Sequence, residues 1–378
     1  MVSVVSKPGT LEKLKILSAD AQYDLACACG SQKNEHRKRG ADGRWIYPVT
    51  LSNGQSGSLF RTLVSNSCVN DCKYCPLRAN SNIQRCSLTP EETARAFIDF
   101  YDSRMVFGAF LTSGVTGNPD SSMARLIETA DLIRRRHGFH GYMHLKVIPG
   151  ASDNAIEEAV KIASALSINI EAPGRDFFSR LSEKKDFDAD IIRPLKKLAA
   201  LTGPGSKYEK KSLTTQFIVG PAGETDRHLI HYTEALYQRL HLHRVYFSAY
   251  QKELGDNSIE MPAEASEQIF TREHRLYQAD FLLRKYGFSQ ADFIFDAGGN
   301  FSMDNDPKKA WADANPQFFP VDINKASKWE LLRVPGFGPE TVRRIIKYRV
   351  QSRIRSIADI AKPNKRLDIS KLYLKIDL

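Results

Sequence analysis

The stretch Ser58-Leu59-Phe60-Arg61-Thr62-Leu63-Val64-Ser65-Asn66-Ser67-Cys68-Val69-Asn70-Asp71-Cys72-Lys73-Tyr74-Cys75 decides how this chain folds. Residues 58–66 read as a strand, and three thiols follow at once on a loop, spaced C-x3-C-x2-C. Further apolar strands are expected at 106–111, 141–148, 167–172, 214–219 and 244–250. Helices are expected between and after them, at about 89–103, 121–136, 152–165, 176–183, 188–201, 225–240 and 272–286. Thr89-Pro90-Glu91-Glu92 opens the first of these with a capping-box pattern and a proline in the first turn. Met123, Leu126, Ile127, Ala130 and Ile133 form one apolar face of the second. Strands alternating with helices of this length imply βαβ units and a parallel sheet. Six repeats between about 58 and 287 are too few for a closed eightfold barrel. The expected fold class is α/β, an open partial (βα)6 barrel.

The chain has 378 residues, of which 26% are charged and 42% hydrophobic. That composition excludes global disorder, collagen and small disulfide scaffolds, and the length allows two or three domains. No run approaches the roughly 18 apolar residues of a membrane span. The first residues lack the apolar core of a signal peptide, so a cytoplasmic location away from membranes is expected.

Charge is unevenly distributed. Residues 321–378 hold 14 Lys/Arg and 6 Asp/Glu, so they carry +8 of the chain's net +10. A basic terminal segment suggests an anionic partner such as nucleic acid, or simply a solvated basic tail.

Six cysteines are present, three of them in the packed triad Cys68, Cys72 and Cys75. In a cytoplasmic chain a tight thiol cluster points to metal or redox chemistry rather than disulfides. Three thiolates on a short loop can bind three irons of a [4Fe–4S] cluster and leave the fourth open. Zinc is the alternative, with Cys86 as a fourth ligand.

The triad, its place after the first strand, aromatic Tyr74 before the last cysteine and the βα repeat together resemble the radical S-adenosylmethionine (SAM) superfamily, over about residues 58–290. The resemblance implies that SAM chelates the open iron and is cleaved to a 5′-deoxyadenosyl radical. It also implies an electron donor such as flavodoxin or ferredoxin. Tyr74 is then expected near the adenine. Thr112-Ser113-Gly114 stands where the family has Gly-Gly-Glu at the methionine amino group, with Val115 in place of the acid. Ile218-Val219-Gly220-Pro221-Ala222-Gly223-Glu224 resembles the adenine-contacting motif of the fifth strand, its glutamate displaced by one.

Strand alternation gives a second line of inference. His144 with Lys146, Asn169 with Glu171, and Ser248 with Tyr250 share faces, while Leu145, Val147, Ile168, Ile170, Val245 and Phe247 occupy the opposite ones. Polar positions along one face of parallel strands are unexpected in a sheet covered on both sides. A ligand cavity explains them, with Glu171 toward ribose hydroxyls and Lys146 toward a carboxylate or phosphate; a self-satisfied polar layer is the alternative. Cys27 and Cys29, spaced C-x-C, are candidate hydrogen-atom donors to a substrate radical or ligands of an auxiliary cluster.

At the C-terminal end, residues 322–349 resemble a helix-hairpin-helix module of the kind in bacterial DNA receptors and nucleotide-excision nucleases. Residues 326–334 form one helix, Pro335-Gly336-Phe337-Gly338 a tight turn, and Pro339 the start of a second helix. Glycines admit a close phosphate, and helix N-terminal N–H groups can bind it. Gly336, Gly338, Arg343, Arg344 and Lys347 are the candidate nucleic-acid contacts, a grip that reads no sequence.

The expected organisation is an N-terminal extension (1–57), a radical SAM core (58–296), a linker rich in Gly, Asp, Asn and Pro (297–320) and a helix-hairpin-helix domain (321–378). The combination resembles a bacterial family of radical SAM proteins named for DNA modification or repair. It implies an enzyme that uses its radical on DNA. RNA modification, tRNA especially, and a non-enzymatic zinc-stabilised nucleic-acid binder are the alternatives.

Overall fold

A computed structural model describes residues 8–21, 46–50, 56–261, 267–360, 362 and 365–376. Cys27 and Cys29 lie outside the described residues. The chain divides into two compact units, Met1–Glu224 with Ala235–Phe270, and Thr225–Glu234 with Thr271–Leu378. No described helix is long and apolar enough to cross a membrane.

The first unit is built on a seven-stranded sheet in sequential order: β1 (Ile46–Thr50), β2 (Ser56–Leu63), β3 (Gly108–Thr112), β4 (Tyr142–Lys146), β5 (Ala165–Ser167), β6 (Ser212–Val219) and β7 (Arg244–Ala249). β1 is antiparallel to β2; β2 to β7 are all parallel. Six parallel strands in chain order curl into a half-barrel, the expected α/β class. The antiparallel β1 lies in the stretch read only as an N-terminal extension, where no alternation announced it.

The helices between the strands are α1 (Thr10–Ala21, before the sheet), α2 (Pro90–Asp102), α3 (Pro119–Asp131), α4 (Asp153–Ile162), α5 (Arg175–Phe178) and α6 (Arg193–Thr202). The capping box expected at Thr89 forms: its side chain accepts from Glu92 N–H, and the Glu92 carboxylate accepts from Thr89 N–H. α2 buries Ala94 and Phe97, and the Phe97 ring meets Phe60 of β2 edge-on at 5.8 Å. Burying such a ring stabilises the fold by roughly 1.5–3 kcal/mol.

β5 is shorter than expected and ends at Ser167 rather than Ala172. Thr215 of β6 interrupts the ladder: its hydroxyl donates to the Ile168 carbonyl at 2.7 Å and accepts the Ile170 N–H at 3.0 Å. Glu171 then takes a left-handed φ of 65° before one last bridge to Phe217. A non-glycine residue there costs about 1–2 kcal/mol, and such strain clusters at functional sites.

The second unit contains α8 (Ile269–Lys285, from Thr271 on), α9 (Pro307–Ala314), α10 (Lys328–Arg333), α11 (Pro339–Arg349) and α12 (Lys365–Ser370); β8 (Val321–Asp322) pairs in parallel with β9 (Leu374–Lys375). The boundary between the units falls inside α7 (Asp226–Leu240). Residues 297–320, read as a linker, instead contain α9 and part of an aromatic core. Trp311 packs against Phe288 at 5.8 Å and Phe318 at 5.1 Å. Arg333 of α10 stacks over Phe288 and Trp311, at 3.9 and 4.6 Å, and bonds Asp292 at 2.6 Å. The polar start of α8 is also structural: Arg272 bonds buried Asp226, and Arg275 reaches the Ser302 and Met303 carbonyls.

Candidate functional site

The thiol loop leaves β2 and returns at α2 without forming a helix. Its backbone is tied by side chains instead. The Arg85 guanidinium donates to four carbonyls of the loop, those of Asn66, Leu77, Arg78 and Ser81, at 2.6–3.1 Å. Asp71, inside the triad, accepts from the Ser182 hydroxyl at 2.5 Å and from the Glu183 N–H at 2.9 Å. Burial would raise its pKa, but these donors hold it below the ordinary carboxylate value.

Segment 112–115 runs alongside this loop. Val64 N–H bonds the Thr112 carbonyl at 2.8 Å, Gly114 N–H the Ser65 carbonyl at 2.7 Å, and Val69 N–H the Val115 carbonyl at 2.9 Å. A Cβ at Gly114 would lie 2.4 Å from the Ser67 carbonyl, so only glycine allows the approach. In this way the Thr-Ser-Gly motif is set beside Cys68.

Between the loop and the ends of the strands lies a cavity of about 1080 Å³, counting the space at its mouth. Cys68, Tyr74, Cys75, Thr112, Ser113 and Gly114 line it, together with Lys146, Asn169, Glu171, Ser248 and Tyr250. The polar strand positions read from alternation thus face one space. His144 does not; its ring packs on Phe110 at 4.3 Å and its Nε2 lies 2.8 Å from Ser167 Oγ. Gly220 is not among the lining residues either. Its φ of 109° and the bond from its N–H to Glu224 at 2.5 Å give it a turn-forming role, and Ile218 supplies the wall. Ile218, Tyr250 and Ile259 form an apolar cluster against which Tyr74 and Met261 pack.

Sequence reasoning missed Lys185, Gln216 and Asp20, which also line the cavity. Gln216 shares the inward face of β6 with Ile218 and was open to the same alternation test. Lys185 sits in the run Glu183-Lys184-Lys185-Asp186, which reads as a solvated charge patch, and carried no signal. Burial opposes its charge, yet Cys72 and Glu171 hold its pKa above the ordinary lysine value. Tyr74 is partly buried near Glu171, and its desolvation and that carboxylate push its phenol well up.

The three thiols are free and share one loop. Val115 N–H points to Cys68 Sγ at 3.5 Å, and Leu77 N–H to Cys75 Sγ at 3.4 Å. Such donors favour a thiolate. Burial pushes the Cys72 and Cys75 thiols up, so nearby positive charge is needed to complete deprotonation. A cationic iron centre would supply it, and the three-thiol donor set fits an iron–sulfur cluster. Among the described residues no three His, Cys, Asp or Glu side chains are gathered as one compact ion site. Cys86 lies against the Lys13 carbonyl of α1 at 3.9 Å, its thiol raised by burial to about 11.

In the second unit the hairpin is a type II turn. Phe337 N–H closes on the Val334 carbonyl at 3.1 Å around Pro335 and Gly336, and Gly336 has the required positive φ, 87°. Gly338 is the N-cap of α11, in an ordinary extended conformation with room for a Cβ. Its glycine is therefore not demanded by the backbone. Arg343, Arg344 and Lys347 are exposed on α11, and Arg343 pairs with Glu340 at 2.7 Å.

A half-barrel with a three-thiol loop over its cavity, Cys68 and Cys75 in the lining and Cys72 buried, and a helical hairpin further along the chain point to one class of protein. The radical SAM superfamily model matches residues 62–236 and a helix-hairpin-helix motif model matches residues 317–365. The chain carries a radical SAM domain and a C-terminal helix-hairpin-helix motif. That superfamily uses a [4Fe–4S] cluster and SAM. No curated protein matches the chain. Among solved structures it is similar to the FeFe-hydrogenase maturase HydG from Carboxydothermus hydrogenoformans, with 16% identity over 60% of this chain and 51% of that one and a TM-score of 0.46. Methylornithine synthase gives 14%, 59%, 63% and 0.42, and Streptococcus suis SuiB bound to SAM gives 13%, 60%, 47% and 0.42. The chain spans about half the length of the maturase it matches.

Proposed function

We propose that this enzyme acts on nucleic acid, in DNA modification or repair, with the hairpin holding the phosphate backbone. The observation that carries the reading is the type II turn opening onto the N-terminus of α11, a helix that also exposes Arg344 in its middle and Lys347 in its last turn. Backbone N–H groups at such a terminus bind phosphate without reading bases.

In this reading Cys68, Cys72 and Cys75 hold the cluster. Tyr74 and Ile218 form the apolar wall for the adenine. Glu171 faces the ribose hydroxyls, Lys146 the SAM carboxylate, and segment 112–114 the methionine amino group through its backbone. When bound and reduced by one electron from a flavodoxin- or ferredoxin-like donor, the cluster and SAM supply a 5′-deoxyadenosyl radical. The lining of the cavity around that chemistry is largely apolar.

The test is anaerobic incubation with SAM, reductant, and native or damaged DNA and RNA, followed by nucleoside mass spectrometry. A new or restored deoxynucleoside is expected. Turnover confined to RNA would move the reading to RNA modification, and turnover of neither would remove nucleic acid as the substrate.

A further inference from the structure

Lys308 lies outside the helix-hairpin-helix pattern, in the first turn of α9. It is 8% exposed, and its ammonium donates to the carbonyl of Phe337, in the hairpin turn, at 2.7 Å. The same nitrogen sits 4.7 Å from the Tyr286 ring centre. A buried lysine is among the most avoided arrangements in a protein interior. An apolar side chain would fill that space without desolvating a charge, so what the ammonium touches decides what it does.

A trans peptide is flat, and its carbonyl and N–H point in opposite directions. Fixing the Phe337 carbonyl toward Lys308 therefore turns the Gly338 N–H the other way. Gly338 is the N-cap of α11 and has no side chain to fold over the helix end. Pro339 has no N–H, so the Gly338, Glu340 and Thr341 amides are the donors of that terminus. Phe337's own N–H is already used by Val334 within the turn.

We propose that Lys308 is a positioning residue for phosphodiester binding: it holds the Phe337 carbonyl so that the Gly338 N–H and the start of α11 face one backbone phosphate, and its charge strengthens the field there. The proposal rests on the nucleic-acid reading above. The charged and titratable groups facing Lys308 are Asp306 at the N-cap of α9, Arg333 of α10 and Tyr286 after α8. Burial lowers the amine's pKa, Asp306 raises it and Arg333 lowers it further, leaving it at about 7. A bound phosphate favours the charged amine, so affinity falls as pH rises through neutrality. Losing that proton stabilises the fold over the same interval. Weaker binding at higher pH is then not unfolding.

The experiment is fluorescence anisotropy of the full chain with a labelled duplex oligonucleotide, from about pH 6 to about pH 8.5, the window in which such a lysine titrates. Wild type is expected to lose about fivefold in affinity across the window, the scale of one ordinary hydrogen bond. Lys308→Met should bind about fivefold more weakly at the acid end, show no pH dependence, and keep the wild-type salt slope, because no phosphate-contacting side chain is removed. Lys308→Arg, charged throughout, should bind at the wild-type acid level at every pH. Equal binding by wild type and folded Lys308→Met at all pH values would overturn the role of Lys308 and leave the nucleic-acid reading standing. If Lys308→Met does not fold, a pH-independent wild-type affinity overturns it instead. A wild type that binds no duplex at any pH removes the nucleic-acid reading, and this inference with it.

Discussion

Residues 65–87 carry the thiols on a loop whose ordered pairing is one isolated bridge, Ser65 to Ser87, while residues 327–349 form a side-chain-capped helix, a type II turn and a second helix with a bare glycine N-cap. The loop takes its shape from side chains: Arg85 binds its carbonyls, and Asp71 ties it to Ser182 and the Glu183 amide. The hairpin takes its shape from backbone conformation and offers backbone N–H groups outward. In the proposed reading the loop's function lies in residue identity, since thiolates are the usual holders of such a cluster. In the hairpin it lies in dihedral angles, which several sequences could satisfy. Substitutions should therefore act all-or-none in the first region and in graded fashion in the second.

The largest effect is expected at the triad. Cys72→Ala should abolish iron loading after anaerobic reconstitution and eliminate 5′-deoxyadenosine formation, read by iron assay and chromatography. Normal deoxyadenosine production by this variant would sink the assignment. Next is Arg85→Met, which removes the donor to four loop carbonyls. Each such bond to a charged donor contributes about 1.5–3 kcal/mol, far more than a loop without secondary structure can lose and stay ordered. Iron per chain should fall severalfold while far-ultraviolet circular dichroism is kept. Full iron occupancy would show that the thiols, not Arg85, organise the loop.

The same contrast explains what was legible in the sequence. The triad, the six parallel strands and the hairpin were readable because spacing, alternation and turn chemistry are local. Lys146 emerged from alternation, and so did Asn169 and Glu171, although these two reach the cavity from the segment beyond the end of β5. The early end of β5 did not, because it depends on Thr215, a side chain of the neighbouring strand. Arg85 and Lys185 were hidden for the same reason: their partners are brought close only by the fold. The linker reading of 297–320 failed because Gly, Asn and Pro mark turns, yet those turns frame Trp311 and Phe319 in an aromatic core. Arg333 stacks on that core, so removing residues 321–378 would expose it rather than excise a free module. Point substitutions test the hairpin more cleanly.

Gly336→Val is the first of these. At a φ of 87° a β-branched side chain is strained, by about 1–2 kcal/mol or more. The turn should relax to another conformation and misdirect the Gly338 amide. Duplex affinity should drop about tenfold, measured by anisotropy, while SAM cleavage without nucleic acid stays at the wild-type rate. A parallel loss of SAM cleavage would break the separation between the two regions.

The smallest expected effect concerns stability, and its sign follows from Lys308. Burial lowers its pKa from the ordinary 10.5 to about 7. Between those values the unfolded chain binds a proton that the folded chain refuses, so stability must climb with pH from about 7 toward 10 and fall away on acidification through 7. One pH unit inside that window contributes about 1.4 kcal/mol per fully linked proton, so the gain from pH 7 to pH 9 is up to roughly 2 kcal/mol, or a few degrees in midpoint. Thermal unfolding followed by the fluorescence of Trp311 and Trp329 reads it. In Lys308→Met the Phe337 carbonyl loses its donor, which costs about 1–3 kcal/mol, while the penalty of desolvating an ammonium disappears. These terms oppose each other, so the midpoint at pH 7 is a poor discriminator and the slope is the informative quantity. Wild type should gain stability across the interval and Lys308→Met should not. Identical slopes in the two proteins would mean that the ammonium stays charged when buried, held by the Phe337 carbonyl and the Tyr286 ring, and that the hairpin is anchored by a permanent cation rather than a titrating one.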